Sequence, residues 1–228
     1  CKDKNGKTYL MTNKHVVHSA KEVNLEFSIN GASVIYSRCI VSRISKDYDL
    51  ALVELPSDAK FENYLEITSA PIKDGDNVWS AGYPVFKEEP LWQLGKGIIS
   101  NSTVKNEDFG DVHSISVIQH TAQVDPGSSG GPLMISEVND KNETTYKVVG
   151  INTWKVMRRE NANYAVNAND MLEFLNNETL EEKADDATLE SRSKEFLKAC
   201  KSSYSDIIPF ISNDFLMSFT PKFFSGIL

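Results

Sequence analysis

From residue 8 to about residue 170 the apolar residues come in short runs of strand length, separated by Gly, Asp, Asn and Pro. The runs Thr8 to Met11, Val23 to Ile29, Ser33 to Ile44, Leu50 to Leu55 and Asn77 to Ala81 read as strands, as do Gly97 to Ser100, Ser114 to Gln119, Pro132 to Ile135, Lys147 to Asn152 and Asn163 to Val166. Many strands without long helical periodicity between them predict an all-β chain, an antiparallel sandwich or barrel. Asp58 to Asp76 is polar and proline-punctuated, which suits a bridge between two β units. After Asn169 the texture changes. Met171, Leu172, Phe174 and Leu175 predict a short helix capped by Asn169 or Asp170. Asn177 to Glu190 is acidic and poor in apolar residues, a linker or a solvated helix face. Leu189, Phe196, Cys200 and Tyr204 then recur at helical spacing until Pro209 interrupts. Ile207 to Leu228 is rich in Phe and Ile but broken by Pro209, Asp214 and Pro221. Such a segment is too interrupted to span a bilayer and is expected to pack on the β body or on a partner.

Composition narrows the classes. The 228 residues leave ample chain for a core, and 40% hydrophobic with 25% charged residues describe an ordinary globular protein. A net charge of −8 without a Lys/Arg run argues against a nucleic-acid or anionic-membrane binder. Three cysteines cannot build a disulfide framework. Neither end shows a signal-peptide pattern or a 20-residue apolar stretch, so no targeting signal is legible, and bacterial periplasm and cytoplasm both stay open.

The strongest chemical signal is Asp125-Pro126-Gly127-Ser128-Ser129-Gly130-Gly131-Pro132-Leu133. Glycines on both sides of a serine let the backbone approach a substrate carbonyl and aim consecutive N–H groups at one point, as an oxyanion hole requires. A Gly/Ser-rich turn is the plain alternative for the pentapeptide alone. The four histidines, His15, His18, His113 and His120, decide between them by position. None follows Ser129, which excludes the Ser, Asp/Glu, His chain order of an α/β-hydrolase. The subtilisin order needs an acid before His15, where only Asp3 stands, on a terminus. The order left is His, Asp, Ser.

His15 closes the apolar run Tyr9-Leu10-Met11, where a rigid strand can present an imidazole to a cleft, with His18 three residues on as its competitor. His15 and His18 also raise a zinc reading, which lacks a third ligand. His113 lies in a polar loop, and His120 reads as structural or as a pocket wall. Asp49 stands immediately before Leu50-Ala51-Leu52-Val53, where a half-desolvated carboxylate can orient an imidazole, and Asp47 competes for the role.

Taken together, Thr12-Asn13-Lys14-His15-Val16-Val17, Asp49-Leu50-Ala51-Leu52 and Pro126 to Leu133 closely resemble the trypsin-like serine peptidases of the HtrA/Deg branch. Gly82-Tyr83-Pro84, Gly97-Ile98-Ile99-Ser100 and Val149-Gly150-Ile151-Asn152-Thr153 support the likeness, which covers residues 8 to about 175. The resemblance implies a chymotrypsin-like pair of six-stranded β-barrels: one in residues 1–68 with His15 and Asp49, a second in 69–176 with Ser129, then an acidic linker and helical tail in 177–228. Because the segment before His15 is short, the first barrel is expected to be incomplete at its N-terminal side. Residues after 176 are too few for a PDZ domain.

Carried over by position, the resemblance makes Ser129 the nucleophile, His15 the general base and acid, and Asp49 the orienting carboxylate. The N–H groups of Gly127 and Ser129, with Ser128 in the turn, would form the oxyanion hole. Asn152, Thr153 and Trp154 would be the edge that hydrogen-bonds a substrate backbone. Gln123, Val124, Tyr164 and Ala165 would border the specificity pocket, and the neutral Gln123 disfavours an Arg/Lys preference. Ser128 stands where secreted trypsins have the Asp that receives a new N-terminal amine, so control is expected from rearrangement around Pro84 to Gly97. The activity implied is peptide-bond hydrolysis through an acyl-enzyme, with no cofactor or metal. The partner implied is a peptide or protein substrate. The tail from 189 to 228 and homo-oligomers, frequent among HtrA relatives, are the other expected contacts. A latent or purely peptide-binding module of the same fold is the alternative.

Overall fold

The computed structural model describes residues 1–177 apart from 19, 30, 58, 60, 62–63, 87–88, 106–115, 139–141 and 156–160. The tail expected over 177–228 lies outside the described residues, except for residue 177 itself, as does His113. Two antiparallel sheets account for most of the described fold. The first comprises β1 (Tyr9–Thr12), β2 (Glu22–Ile29), β3 (Ala32–Ile44) and β4 (Ala51–Glu54), in the spatial order β1-β4-β3-β2. A single turn of helix, α1 (Lys14–Val17), follows β1. A short strand, β5 (Glu66–Ile67), leads into the second sheet. There β6 (Asn77–Gly82) is followed by the small hairpin β7 (Val85–Phe86) and β8 (Glu89–Pro90), then by β9 (Gln93–Lys105) and β10 (Ser116–His120). The chain continues through β11 (Pro132–Val138), β12 (Thr144–Lys155) and β13 (Asn163–Asn167) into the helix α2 (Ala168–Asn176).

The order β11-β6-β9-β10-β13-β12, with β12 returning to pair with β11, closes the second sheet into a six-stranded barrel, and β5 pairs in parallel on the outside of β12. Each of the six strands, or the residue beside it, supplies one side chain to the barrel interior: Val78, Ile99, Ile118, Leu133, Val149 and Ala165, with Ala122. A closed barrel of this size is filled by such inward positions, every second residue along each strand. The first sheet stays open. Among the described residues β2 pairs only with β3, and its outward Glu22 is bound by Arg38 Nε at 2.8 Å. The expected double barrel is therefore realised as one closed barrel and one half-barrel of four strands.

The run Leu50 to Val53 explains how the two units join. All four residues are fully buried, although β4 belongs to the open sheet. Side chains alternate along a strand. Ala51 and Val53 point into the half-barrel beside Val17, Leu25, Cys39 and Ile44. Leu50 and Leu52 point the other way, into a cluster with Met134, Ile151, Val166 and the α2 residues Met171, Phe174 and Leu175. Burying each such side chain contributes about 1.5–3 kcal/mol, so β4 serves two cores at once. Arg43 reaches the same helix and donates from Nη2 to Leu175 O at 2.7 Å, at the helix C-terminus where a cation is favoured.

The α2 boundary differs from expectation. The cap is Asn167, not Asn169 or Asp170: its Oδ1 accepts Asp170 N–H at 3.0 Å, and Asn169 and Asp170 lie within the first turn. The last residue of β13 already has the extended backbone that an N-cap needs, so the helix starts earlier. β9 runs from Gln93 rather than Gly97, and β5, β7 and β8 have no counterpart in the apolar runs.

His120, at the end of β10, is completely buried, and among the described residues neither ring nitrogen has a partner at full hydrogen-bond geometry. Burial pushes the imidazole down to about 4 from 6.5, against the opposing influence of the neighbouring Asn152 amide. It is neutral in the folded state, whereas the unfolded chain takes up a proton below pH 6.5. The folded value lies below the unfolded one, so this contribution to stability is complete above pH 6.5 and is lost as pH falls towards 4. The wild type should lose up to about 3 kcal/mol from this group over that interval, and His120→Gln should not. Urea unfolding of both proteins at pH 7, 5.5 and 4 tests this through their difference. The difference matters because Asp170, raised by burial to about 6, acts in the opposite direction in both proteins. Parallel pH profiles for the two proteins would refute the assignment.

Candidate active site

β1 ends at Thr12, and the chain turns through the buried Asn13 into α1, which carries His15. Asn13 has the extended backbone of an N-cap but makes no side-chain cap bond; its Nδ2 instead donates to Asp49 O at 3.0 Å. Lys14 Nζ donates to Ser45 O at 3.0 Å. Both bonds tie the His15 turn to the turn before β4. That second turn is organised by the buried Ser45, whose Oγ accepts the N–H groups of Asp47 and Tyr48 and whose own N–H donates to Leu50 O. Asp47 is left exposed and Asp49 is turned inward, which distinguishes the two acids that compete in the sequence.

The Asp49 carboxylate is 7% exposed and gathers three donors. His15 N–H reaches Oδ1 at 2.9 Å, His15 Nδ1 lies 2.7 Å from Oδ2, and the Thr153 hydroxyl donates to Oδ2. An ionised carboxylate only accepts, so Nδ1 carries the proton and Nε2 is left as the acceptor. Burial alone would push the Asp49 carboxyl up. The imidazole, the threonine hydroxyl and the His15 N–H outweigh it and hold the group below its ordinary value. His18 is a separate case: it caps α1 at φ 47°, and burial followed by the neighbouring His15 lowers its value. Among the described residues no three His, Cys, Asp or Glu side chains cluster to hold a metal.

The serine-bearing loop joins β10 to β11. Gly127 and Gly130 have φ of 98° and 85°, left-handed values that glycine adopts without strain. Ser128 N–H donates to Asp125 O at 2.9 Å, Gly131 N–H to Ser128 O at 3.0 Å and Gly130 N–H to Asn152 O at 3.0 Å. Among the described residues the N–H groups of Gly127 and Ser129 take no part in these backbone bonds. Gly130 approaches the other unit so closely that a Cβ there would stand 2.3 Å from Thr12 Oγ1. Ser129 Oγ donates to Thr153 O at 3.3 Å. Thr153 thus touches the candidate nucleophile through its carbonyl and the candidate acid through its hydroxyl.

The remaining expected substrate contacts divide. Gln123 is exposed, and its Nε2 donates to Asp125 Oδ2 at 2.8 Å. Val124 and Tyr164 are buried, Tyr164 beside Val117 and Ala162, and Ala165 is completely enclosed in the barrel interior. The Asn152 N–H donates to Gly131 O, its carbonyl accepts Gly130 N–H, and its Nδ2 donates to Ser80 Oγ at 2.9 Å. Trp154 continues β12, opposite Tyr164. One further residue belongs to this region. Gln93 Nε2 also donates to Asp125 Oδ2, at 3.2 Å, which fastens the start of β9 to the serine loop. The hydroxyl of Thr153 likewise carries no signal in its own neighbourhood, since its partner lies 104 residues earlier. Two cavities of about 180 and 170 Å³ lie elsewhere, one beside Tyr9, Arg43 and Leu175 and the other beside Pro71, Ser102 and Ala168. Neither includes His15, Asp49 or Ser129.

A closed barrel and a half-barrel, with a His–Asp pair from one linked through Thr153 to a glycine-flanked serine of the other, define the chymotrypsin-like double-barrel class. Within it the chain belongs to the trypsin-like peptidases, HtrA branch: the family model for the trypsin-like peptidase domain matches residues 2–139. Serine protease Do-like HtrA of Bacillus subtilis is 31% identical over 176 residues, covering 75% of this chain and 36% of that protein. A probable periplasmic serine endoprotease, DegP-like, of Buchnera aphidicola is 30% identical over 149 residues, covering 64% and 27%. The solved HtrA-type protease AlgW, crystallised with a decapeptide, superposes with a TM-score of 0.58 at 26% identity, over 74% of this chain and 47% of that one. The chain spans about a third of the length of the first curated relatives it matches.

Thr153→Val removes one donor from Asp49. A hydrogen bond to a charged group contributes about 1.5–3 kcal/mol, so urea unfolding at pH 7 should register a loss in that range. The carboxyl should also rise toward its unfolded value. In the wild type, stability from Asp49 is present above pH 3.8 and is lost as pH falls through the lower folded value. The variant should therefore show a smaller drop between pH 5 and 2, and an unchanged acid limb would count against this account.

Proposed function

We propose that the chain is a serine endopeptidase that hydrolyses peptide bonds through an acyl-enzyme on Ser129, with His15 as base and acid and Asp49 as its orienting carboxylate. The observation that carries this reading is the three-donor environment of Asp49, which leaves His15 Nε2 as an acceptor, while Thr153, one of the three donors, also holds the glycine-flanked Ser129 through its carbonyl. In the reaction the Ser129 hydroxyl turns from Thr153 O to His15 Nε2, gives up its proton and attacks the scissile carbonyl. The oxyanion that forms is met by the N–H groups of Gly127 and Ser129, each contributing about 3 kcal/mol in the transition state. His15 then delivers the proton to the departing amine, and the C–N bond breaks. Water, deprotonated by the same imidazole, releases the acyl group. Membership of the trypsin-like family supports the reaction class.

The Ser129–Thr153 hydrogen bond favours a second reading, a resting form in which the nucleophile is parked until a peptide binds. The two readings differ in the rate at which a phosphonofluoridate labels Ser129: a parked serine is labelled faster once a non-cleavable peptide is added, and a competent one is not.

Ser129→Ala should abolish phosphonofluoridate labelling and lower peptide turnover by about 10⁴-fold or more, with His15→Ala close behind because the groups act as one unit. A chelator should have no effect. Peptide hydrolysis that persists at wild-type rate in Ser129→Ala would overturn the proposal.

A further inference from the structure

Four large side chains lie exposed where β6 runs out and β9 begins: Tyr83, Leu91, Trp92 and Leu94, with exposures of 47, 51, 60 and 54%. Tyr83 and Trp92 stack edge-on with centroids 5.3 Å apart. Scattered single apolar residues on a surface are ordinary, but contiguous ones that include a Tyr–Trp pair mark a contact surface.

The topology shows where this surface sits. The serine loop enters β11, and β11 has β12 on one side and β6 on the other: Pro132 is opposite Ile151, and Leu133 is opposite Ser80. On the β12 side lies Thr153, against Ser129. On the β6 side lies Gly82, where an added Cβ would stand 3.6 Å from Ser128 Cα, and Tyr83 is the next residue. Gly82 is opposite Gln93, whose amide is fastened to Asp125 of the loop. Along β6 the outward face carries Trp79 and Ala81, both in the cluster that joins the two units, and Tyr83 is the next residue on that face. The aromatic pair thus lies where the crevice between the units opens, on the far side of the nucleophile from β12.

We infer that Tyr83, Leu91, Trp92 and Leu94 form a platform for the leaving-group half of the peptide substrate, selecting apolar or aromatic side chains in the first residues after the scissile bond. This rests on the peptidase reading of Ser129. A peptide whose acyl half lies along the end of β12 must cross Ser129 and depart over Gly82 and Tyr83. Two flat rings there offer a large contact area at small entropic cost, since each side chain has only two rotatable bonds.

The test uses three substrates with one common acyl half: a p-nitroanilide, an extension through three residues with Leu and Phe directly after the scissile bond, and the same extension with Ser and Gly. In the wild type the apolar extension should exceed the polar one in kcat/KM by about tenfold, the scale of one apolar side chain in a subsite. Tyr83→Ser with Trp92→Ser should bring that ratio close to one, and Trp92→Phe should largely restore it. Because the replaced side chains are exposed, thermal melts of the variants should follow the wild type. Equal rates for both extensions in the wild type, or a ratio that survives the double serine variant, would overturn the inference. So would a dimer in sedimentation that the double variant dissociates while the ratio stays, since the platform would then serve a second copy. Failure of the peptidase reading looks different: no substrate, the p-nitroanilide included, would be cleaved, and Ser129 would not be labelled.

Discussion

The structure turns on one carboxylate. Asp49 sits at the entrance of β4, 6% exposed, and its three donors come from both sides of the crevice: two from the His15 turn of the half-barrel and one from Thr153 of the closed barrel. Removing a carboxylate from water costs several kcal/mol, and that cost is offset only when its lone pairs are filled by well-directed donors. The condition is met only while both units are docked. The same contacts that keep Asp49 charged therefore also hold His15 in one tautomer and Thr153 against Ser129. Local chemistry and gross architecture share one set of hydrogen bonds.

Apolar packing supplies the frame for this arrangement. β4 gives alternate side chains to two cores, and α2 covers the seam with Met171, Phe174 and Leu175. The approach of Gly130 to Thr12 sets how closely the serine loop seats on the half-barrel, and no residue with a Cβ fits there without displacement. The loop is fixed from a third direction by Asp125, which receives Gln93 and Gln123. Its position is thus set by hydrogen bonds to β12 and β9 and by the close approach to the end of β1, and the glycines supply the torsions.

Much of this was legible along the chain because the signals are local. Fully apolar runs such as Leu50 to Val53 and Pro132 to Ile135 mark strands wherever they fold, and the order of His15, Asp49 and Ser129 narrows the fold by elimination. What escaped has a common physical cause. The apolar run starts only at Gly97, yet β9 begins at Gln93 and takes in Gly95 and Gly97, where a neighbouring backbone passes close by: a Cβ on Gly97 would stand 2.1 Å from Ala122 N. The hydroxyl of Thr153 and the amide of Gln93 act on partners far away in the chain, and nothing in their immediate neighbours announces it. The resemblance places Asn152 on the substrate edge, and the part its backbone plays in seating the serine loop, through Gly130 and Gly131, has no mark in the surrounding residues. Asn167 caps α2 from the last position of a strand, where helix-start signals are masked by β pairing.

The open side of the half-barrel has a consequence for association. β2 carries Glu22 and Glu26 on its exposed positions, and among the described residues its outer edge has no strand partner. If two copies met edge to edge in antiparallel register about Asn24, Glu22 of each would lie across from Glu26 of the other, and like charges directly opposite are unfavourable. Acidic side chains at such an edge are a known defence against stacking of identical sheets. The arrangement works as a filter on self-pairing: it rejects an identical strand and accepts more readily one that presents lysine or arginine at alternate positions.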